Sequence, residues 1–231
     1  QVVETLLAGW RTYSPQVRRD VVDALSSKPA RILALLSAVE SGAVKRGDIE
    51  RDKKQSLLKH PTASVRQRAK KLLGDDVNTN RTKVVADYQD VLNLKANTQR
   101  GLEIFKKKCA ICHRVGDVGH QVAPDLASVQ NKSIADLLVA VLDPNREAQP
   151  NFNVYAVITL QGQIHSGIIA TETANSLTVR RAEAKEDVVL RTNIDELLST
   201  GVSLMPEGLE KDLSRQDLAD VLSFIKTIKP K

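Results

Sequence analysis

The sequence predicts a mainly α fold in two parts. A helical repeat region covers residues 1–95, and a second helical domain covers 96–231 and carries a small antiparallel β insertion at about 152–192. Three observations predict this. Apolar residues recur at helical spacing through the first 95 residues. Charge divides at the same place, with 18 Lys/Arg against 11 Asp/Glu before residue 96 (+7) and 16 against 17 after it (−1). Beyond Phe152 the apolar period falls to two for about forty residues, and then the helical period returns.

The elements follow in order. "SPQVRRDVVDALSS" sets Val17, Val21, Val22 and Leu25 on one face, with Ser14 as N-cap and Pro15 at the first helical position. "ARILALLSAVESG" and "DIERDKKQSLLKH" are two further amphipathic helices. "SVRQRAKKLLGD" groups Val65, Ala69, Leu72 and Leu73, with Gly74 as a C-terminal stop. Ser14/Thr62, Val17/Val65, Arg18/Arg66 and Leu25/Leu73 coincide at an offset of 48, a period that suits a helical solenoid of the HEAT or armadillo kind. "RTKVVADYQDVLNLK" reads as one long last helix with a stripe of Val84, Tyr88, Val91 and Leu92. His60, before Pro61, takes a capping or surface role.

In the second part, "NTQRGLEIFKKKCAICH" is a short helix capped by Asn97 that runs into the cysteines. "SIADLLVAVLDPN" is a helix ended by Asp143-Pro144. "FNVYAVITL", "QIHSGIIA", "SLTVRR" and "DVVLRT" are β-branched strands with turns at Gln161-Gly162 and Asn175-Ser176. Helix returns with "NIDELLS" and with "SRQDLADVLSFIKTI". In the latter, Ser214 and Asp217 form a capping box, and Leu218, Val221, Leu222, Ile225 and Ile228 form the buried face.

Composition excludes some classes. No stretch reaches the ~18 apolar residues of a membrane span, and "ARILALLSAV" is too short. The basic residues of 1–95 are spread along helices without interleaved aromatics, so they read as a solvated surface and not as a nucleic-acid interface. The chain opens at Gln1 and not Met, so it reads as a mature or excised piece, and the missing leader is silent on compartment. There is no serine–histidine–acid set, phosphate-cradling glycine loop or calcium loop.

Both cysteines lie in "KKKCAICHRVG". A redox dithiol of the Cys-x-x-Cys type sits at a strand-to-helix junction, but here the motif follows a helix. A structural zinc needs four ligands. No further cysteine exists, and His120 and His165 lie in unrelated contexts. A disulfide across two residues closes almost no loop and stabilises little. Covalent haem explains all five residues: Cys109 and Cys112 add to the two vinyl groups, and His113 follows as the proximal imidazole. A second axial ligand is most often a methionine thioether. The one methionine, Met205, stands in the Gly/Pro-flanked loop "GVSLMPEGLEKDL" and not in a core helix. His120 is the reserve candidate.

With these motifs in hand, residues 97–231 resemble a class I cytochrome c domain. Gly101 and Phe105 precede Cys109-Ala-Ile-Cys112-His113, followed by "APDL" with Pro124, the Met205-Pro206 loop and a terminal helix carrying Phe224. The chain as a whole is similar to the C-terminal part of planctomycete-type haem-binding proteins, with phrases such as "LDPNREAQPNF" and "SLMPEGLEKDL". The β-rich block is a departure from a compact cytochrome.

The resemblance implies one haem c bound through Cys109 and Cys112, with His113 and Met205 as axial ligands. It implies that the Pro124 carbonyl accepts the proximal histidine's Nδ1–H, and that the first and last helices cross at Gly101 and the aromatics. The haem walls would be Phe105, Val115, Pro124, Leu126, Leu138, Leu142, Ile225 and the segment around Leu204. The implied function is one-electron transfer, not an enzyme by itself. The partner is a redox protein or a fused dehydrogenase domain, with Lys106, Lys107 and Lys108 available to steer an acidic one. The location is periplasmic or otherwise exported from a bacterium. A haem enzyme, a gas sensor with a displaceable Met205, and an interaction scaffold with structural haem are the competing readings.

Overall fold

The computed structural model describes residues 2–74, 79–146 and 150–228. Part of the "LDPNREAQPNF" phrase (147–149) lies outside them. Contacts divide the chain into two compact units: Gln1–Asp76 with Ala148–Val179 and Glu186–Ser203, and Val77–Glu147 with Arg180–Lys185 and Leu204–Lys231. Most of the β-rich block after residue 150 therefore groups with the N-terminal helices, and residues 77–95 with the cysteine-bearing part, where the sequence divides the chain at 95/96.

In the first unit, α1 (Val2–Ala8), α2 (Pro15–Leu25), α3 (Pro29–Glu40), α4 (Arg51–Leu58) and α5 (Ala63–Leu73) form the helical array. The two segments matched at an offset of 48 are both helices of 11 residues. Ser14 accepts from the Val17 N–H and Pro15 opens α2. The His60 Nδ1 accepts the Thr62 N–H at 3.1 Å at the entry to α5. One helix-face assignment inverts: Val17 is exposed, and Arg18 is 3% exposed in its place. The Arg18 guanidinium lies 5.3 Å from the Trp10 ring centre and 5.5 Å from that of Tyr155. It donates to the Tyr13 and Leu197 carbonyls and pairs with buried Asp48 at 3.4 Å. A buried charge is tolerated only with this degree of pairing.

The fold class needs correcting. Among the described residues the fold is an α/β mixture, about 52% helix and 18% strand, and not mainly α. Five strands, β3 (Asn153–Thr159), β4 (Ile164–Glu172), β5 (Ser176–Arg180), β6 (Glu186–Leu190) and β7 (Ile194–Ser203), form one antiparallel sheet in the order β6-β5-β4-β3-β7. The block therefore runs to Ser203, past the expected limit near 192. The overturned element is "NIDELLS", read as helix and found as the start of β7. Its pairing with β3, with Tyr155 opposite Ser199 and Val157 opposite Leu197, places Leu197 in the sheet core and leaves Leu198 on the other face. A run of seven residues does not separate a helix from a strand by period, and the long-range ladder decides it. β3 itself alternates buried and half-buried throughout, as a one-faced strand should.

The second unit begins with α6 (Thr79–Asp87), followed by a separate 3₁₀ turn at Gln89–Asn93, so the single long helix expected from "RTKVVADYQDVLNLK" is broken. Next come α7 (Thr98–Ile104), the short hairpin β1 (Arg114–Val115)/β2 (Val118–Gly119), α8 (Ile134–Leu142) and α9 (Arg215–Thr227). Asn97 caps α7, and capping boxes open α8 (Ser133/Asp136) and α9 (Ser214/Asp217). Their apolar faces share a core of Phe105, Leu126, Leu138, Leu142, Leu218, Leu222 and Ile225. Among the described residues, no helix is long and apolar enough to cross a membrane.

Candidate functional site

The site grows out of the crossing of α7 and α9. Gly101 lets the backbones touch: a Cβ there would stand 2.1 Å from the Asp220 carbonyl oxygen. One turn further on, the Phe105 and Phe224 rings meet with centres 5.6 Å apart. Asp220, on α9, receives the Asn97 N–H at 2.7 Å, Arg100 Nε at 2.6 Å and Gln216 Nε2 at 2.9 Å, which ties the start of α7 to α9.

After Ile104 the helix widens to a π-turn, Phe105–Cys109, in which the Ala110 N–H donates to the Phe105 carbonyl at 2.9 Å. Such single-turn bulges re-aim the residues that follow. The chain then folds tightly on itself. The Cys109 carbonyl accepts from the Cys112 and His113 N–H groups (3.1 and 2.9 Å), and the Ala110 carbonyl accepts from His120 (2.9 Å). The Cys112 carbonyl accepts from Val122 and Ala123 (3.0 and 2.9 Å). Gly119, at φ +90, makes this closure possible, since a Cβ would lie 2.2 Å from the His113 carbonyl oxygen.

His113 Nδ1 lies 2.8 Å from the Pro124 carbonyl oxygen. A carbonyl only accepts, so Nδ1 carries the proton and Nε2 keeps its lone pair. Burial pushes the His113 pKa down, partly opposed by the Pro124 hydrogen bond and by Asp125, which favours the neutral ring. Cys109 and Cys112 are not joined to each other. Burial raises both thiols, with the neighbouring Cys112 adding to the effect on Cys109, which reaches about 11. A redox dithiol requires the opposite shift. Among the described residues there is no cluster of three or more His, Cys, Asp or Glu able to hold a metal ion, so a zinc-type donor set is not assembled there.

Met205 is half-buried in the turn between β7 and a 3₁₀ turn at Leu209–Lys211, and it belongs to the same compact unit as His113. The 3₁₀ turn that ends the loop is fastened by Glu210, which pairs in bidentate fashion with Arg81 of α6 at 2.8 and 3.0 Å; both side chains are nearly buried. Arg81 also donates to the Leu142 carbonyl at the end of α8. Of the expected wall residues, Phe105, Leu126, Leu138, Leu142 and Ile225 fall in one core, with Val115 packed against it. His120 is exposed. His165 belongs to the other unit, where it lies 3.3 Å from Asp187. Lys106 and Lys108 stand by Glu103 (2.9 Å) and Asp212 (3.8 Å), and Lys107 is exposed.

Four residues that support the site are invisible in the sequence. Arg81 and Glu210 are 129 positions apart, and Asp220 resembles any polar helix residue. Arg114 immediately follows His113, and its Nε is buried with no hydrogen-bond partner. Only a charge directly after the motif hinted at it. No protein-family model matches the chain, and no curated protein does.

Proposed function

We propose that this chain is a c-type cytochrome module. One haem would be bound through Cys109 and Cys112 and ligated by His113 and Met205, and the module would perform one-electron transfer as the electron-accepting part of a larger, exported, dehydrogenase-like bacterial protein. The observation that carries the reading is the 2.8 Å contact between His113 Nδ1 and the Pro124 carbonyl. It fixes the tautomer and orients the ring, and it leaves Nε2 as a ligating nitrogen made more basic by its partner.

The other residues fit the same group. Burial pushes the Cys109 and Cys112 thiols up, the opposite of the shift that serves a redox dithiol. The buried Arg114 Nε is a donor with no hydrogen-bond partner, and the carboxylate side chains of a porphyrin would supply an acceptor. The Phe105–Leu142–Ile225 core offers an apolar wall that excludes water. When bound, haem supplies a one-electron couple whose potential thioether ligation and burial raise. The Arg81–Glu210 pair braces the 3₁₀ turn that follows the Met205 loop, which supports Met205 as the second ligand. A braced loop favours firm ligation over a displaceable Met205.

The test is expression in an export-competent host, followed by whole-protein mass and absorption spectra of the oxidised and reduced forms. The expected result is one added porphyrin and a sulfur-to-iron charge-transfer band. Met205→Ala should abolish that band with the porphyrin retained. Colourless protein without added mass refutes the reading. Carbon monoxide should leave the reduced spectrum unchanged; ready binding would favour a sensor or an enzyme instead.

A further inference from the structure

The four consecutive carbonyls of the two-thiol turn, residues 109 to 112, all accept hydrogen bonds. Neighbours in the same loop supply three of them: His113 and Cys112 to Cys109, His120 to Ala110, and Val122 and Ala123 to Cys112. The fourth, at Ile111 between the cysteines, accepts from a segment distant in sequence, through the Glu183 N–H at 2.9 Å. Close by in sequence, Arg180 Nη1 donates to the Gln121 carbonyl at 3.1 Å, just before the residue that binds Cys112. The segment Arg180–Lys185, the end of β5 and the turn before β6, belongs to the same compact unit as the cysteines.

The tip is shaped for this contact at a cost. Glu183 and Ala184 both have positive φ, +61 and +55, and neither is glycine. Side chains with a Cβ adopt that region rarely and keep it only where the surroundings over-determine it. Here the Arg181 N–H binds the Lys185 carbonyl at 2.8 Å, Lys185 binds back to Ala182 at 3.3 Å, and the Glu183 carboxylate pairs with Lys185 at 2.6 Å. Two residues in a strained conformation thus stand where this turn meets the peptide between the two thiols.

We infer that the β5–β6 tip is a positioning element for the Cys109–His113 turn, and that Glu183, through its backbone N–H to Ile111, and Arg180, through Gln121, hold the two thiols in place and restrict their reactivity. This assigns a role to the Arg180–Lys185 segment and does not depend on what the thiols finally carry.

The test uses the full chain without any prosthetic group and a small maleimide as thiol probe, with the labelled peptides resolved by mass. Glu183→Pro removes the N–H donor and forbids positive φ. Glu183→Asn keeps the donor and tolerates positive φ. Labelling of Cys112 should quicken about fivefold in the proline variant, the factor that one net hydrogen bond carries, and should stay at the wild-type rate in the asparagine variant. In the unsubstituted chain, the Glu183 amide should exchange with solvent as slowly as those of Val122 and Ala123, a measurement that needs no variant to fold. Equal labelling in all three chains, equal acceleration by both substitutions, or free exchange at Glu183 overturns the inference. A chain that shows the proline effect but never takes up porphyrin leaves this inference standing and removes the proposed function alone.

Discussion

Gly101→Ala is the sharpest probe of the frame that carries the site. In a solvent-facing helix the change would stabilise, by about 1 kcal/mol, because alanine is the better helix former. Here the new Cβ would lie 2.1 Å from the Asp220 carbonyl oxygen, 2.6 Å from its carbon and 2.8 Å from the Phe224 Cβ. A relaxed carbon-to-oxygen contact is about 3.3 Å, so α7 and α9 must separate by about 1 Å. The clashing carbonyl is backbone inside a helix and has no rotamer to escape into. Overpacking of this kind costs about 1–3 kcal/mol, and a rigid obstacle puts it at the upper end, for a net loss of about 2 kcal/mol after the propensity gain. The separation would also loosen the Phe105–Phe224 contact and the Asn97–Asp220 hydrogen bond at 2.7 Å. Urea unfolding followed by far-ultraviolet circular dichroism, with the slope m unchanged, reads the loss as a lower midpoint. A midpoint equal to or above that of the unsubstituted chain would refute the close crossing.

Two further perturbations test the braces. Burial alone would raise the Asp220 carboxyl, but hydrogen bonds from Arg100, Asn97 and Gln216 outweigh it and hold the carboxyl below the usual range. Its contribution is therefore complete above its unfolded value of about 3.9 and disappears as pH falls through the lower folded value. Asp220→Asn should cost about 2 kcal/mol at pH 7, and the gap from the unsubstituted chain should close in acid titrations of the unfolding midpoint; a gap independent of pH would contradict the network. Arg81→Met leaves the Glu210 carboxylate nearly buried and the Leu142 carbonyl without this donor. Breaking one partner of such a pair costs about 3–5 kcal/mol, whereas Arg81→Met combined with Glu210→Leu should recover much of it in the same denaturation assay. A single variant as stable as the double would show that the pair is not desolvated.

Much of this chain is decided locally and can be read from the residues alone. The caps at Ser14, Asn97 and Ser214 satisfy orphan N–H groups with side chains a few positions away, so spacing suffices to find them. The adjacency of Cys109, Cys112 and His113 is likewise a fact of sequence. Tertiary structure decided the rest, because the energies involved join residues far apart. "NIDELLS" became a strand because β3 offered it a ladder, and Arg18 displaced Val17 from the core because Trp10, Tyr155, Asp48 and the Leu197 carbonyl together satisfy its charge. A helical wheel cannot register that. The amount of sheet, the Arg81–Glu210 clamp and the Glu183 contact to Ile111 likewise depend on partners dozens of positions away, and only the folded backbone brings those partners within hydrogen-bond range.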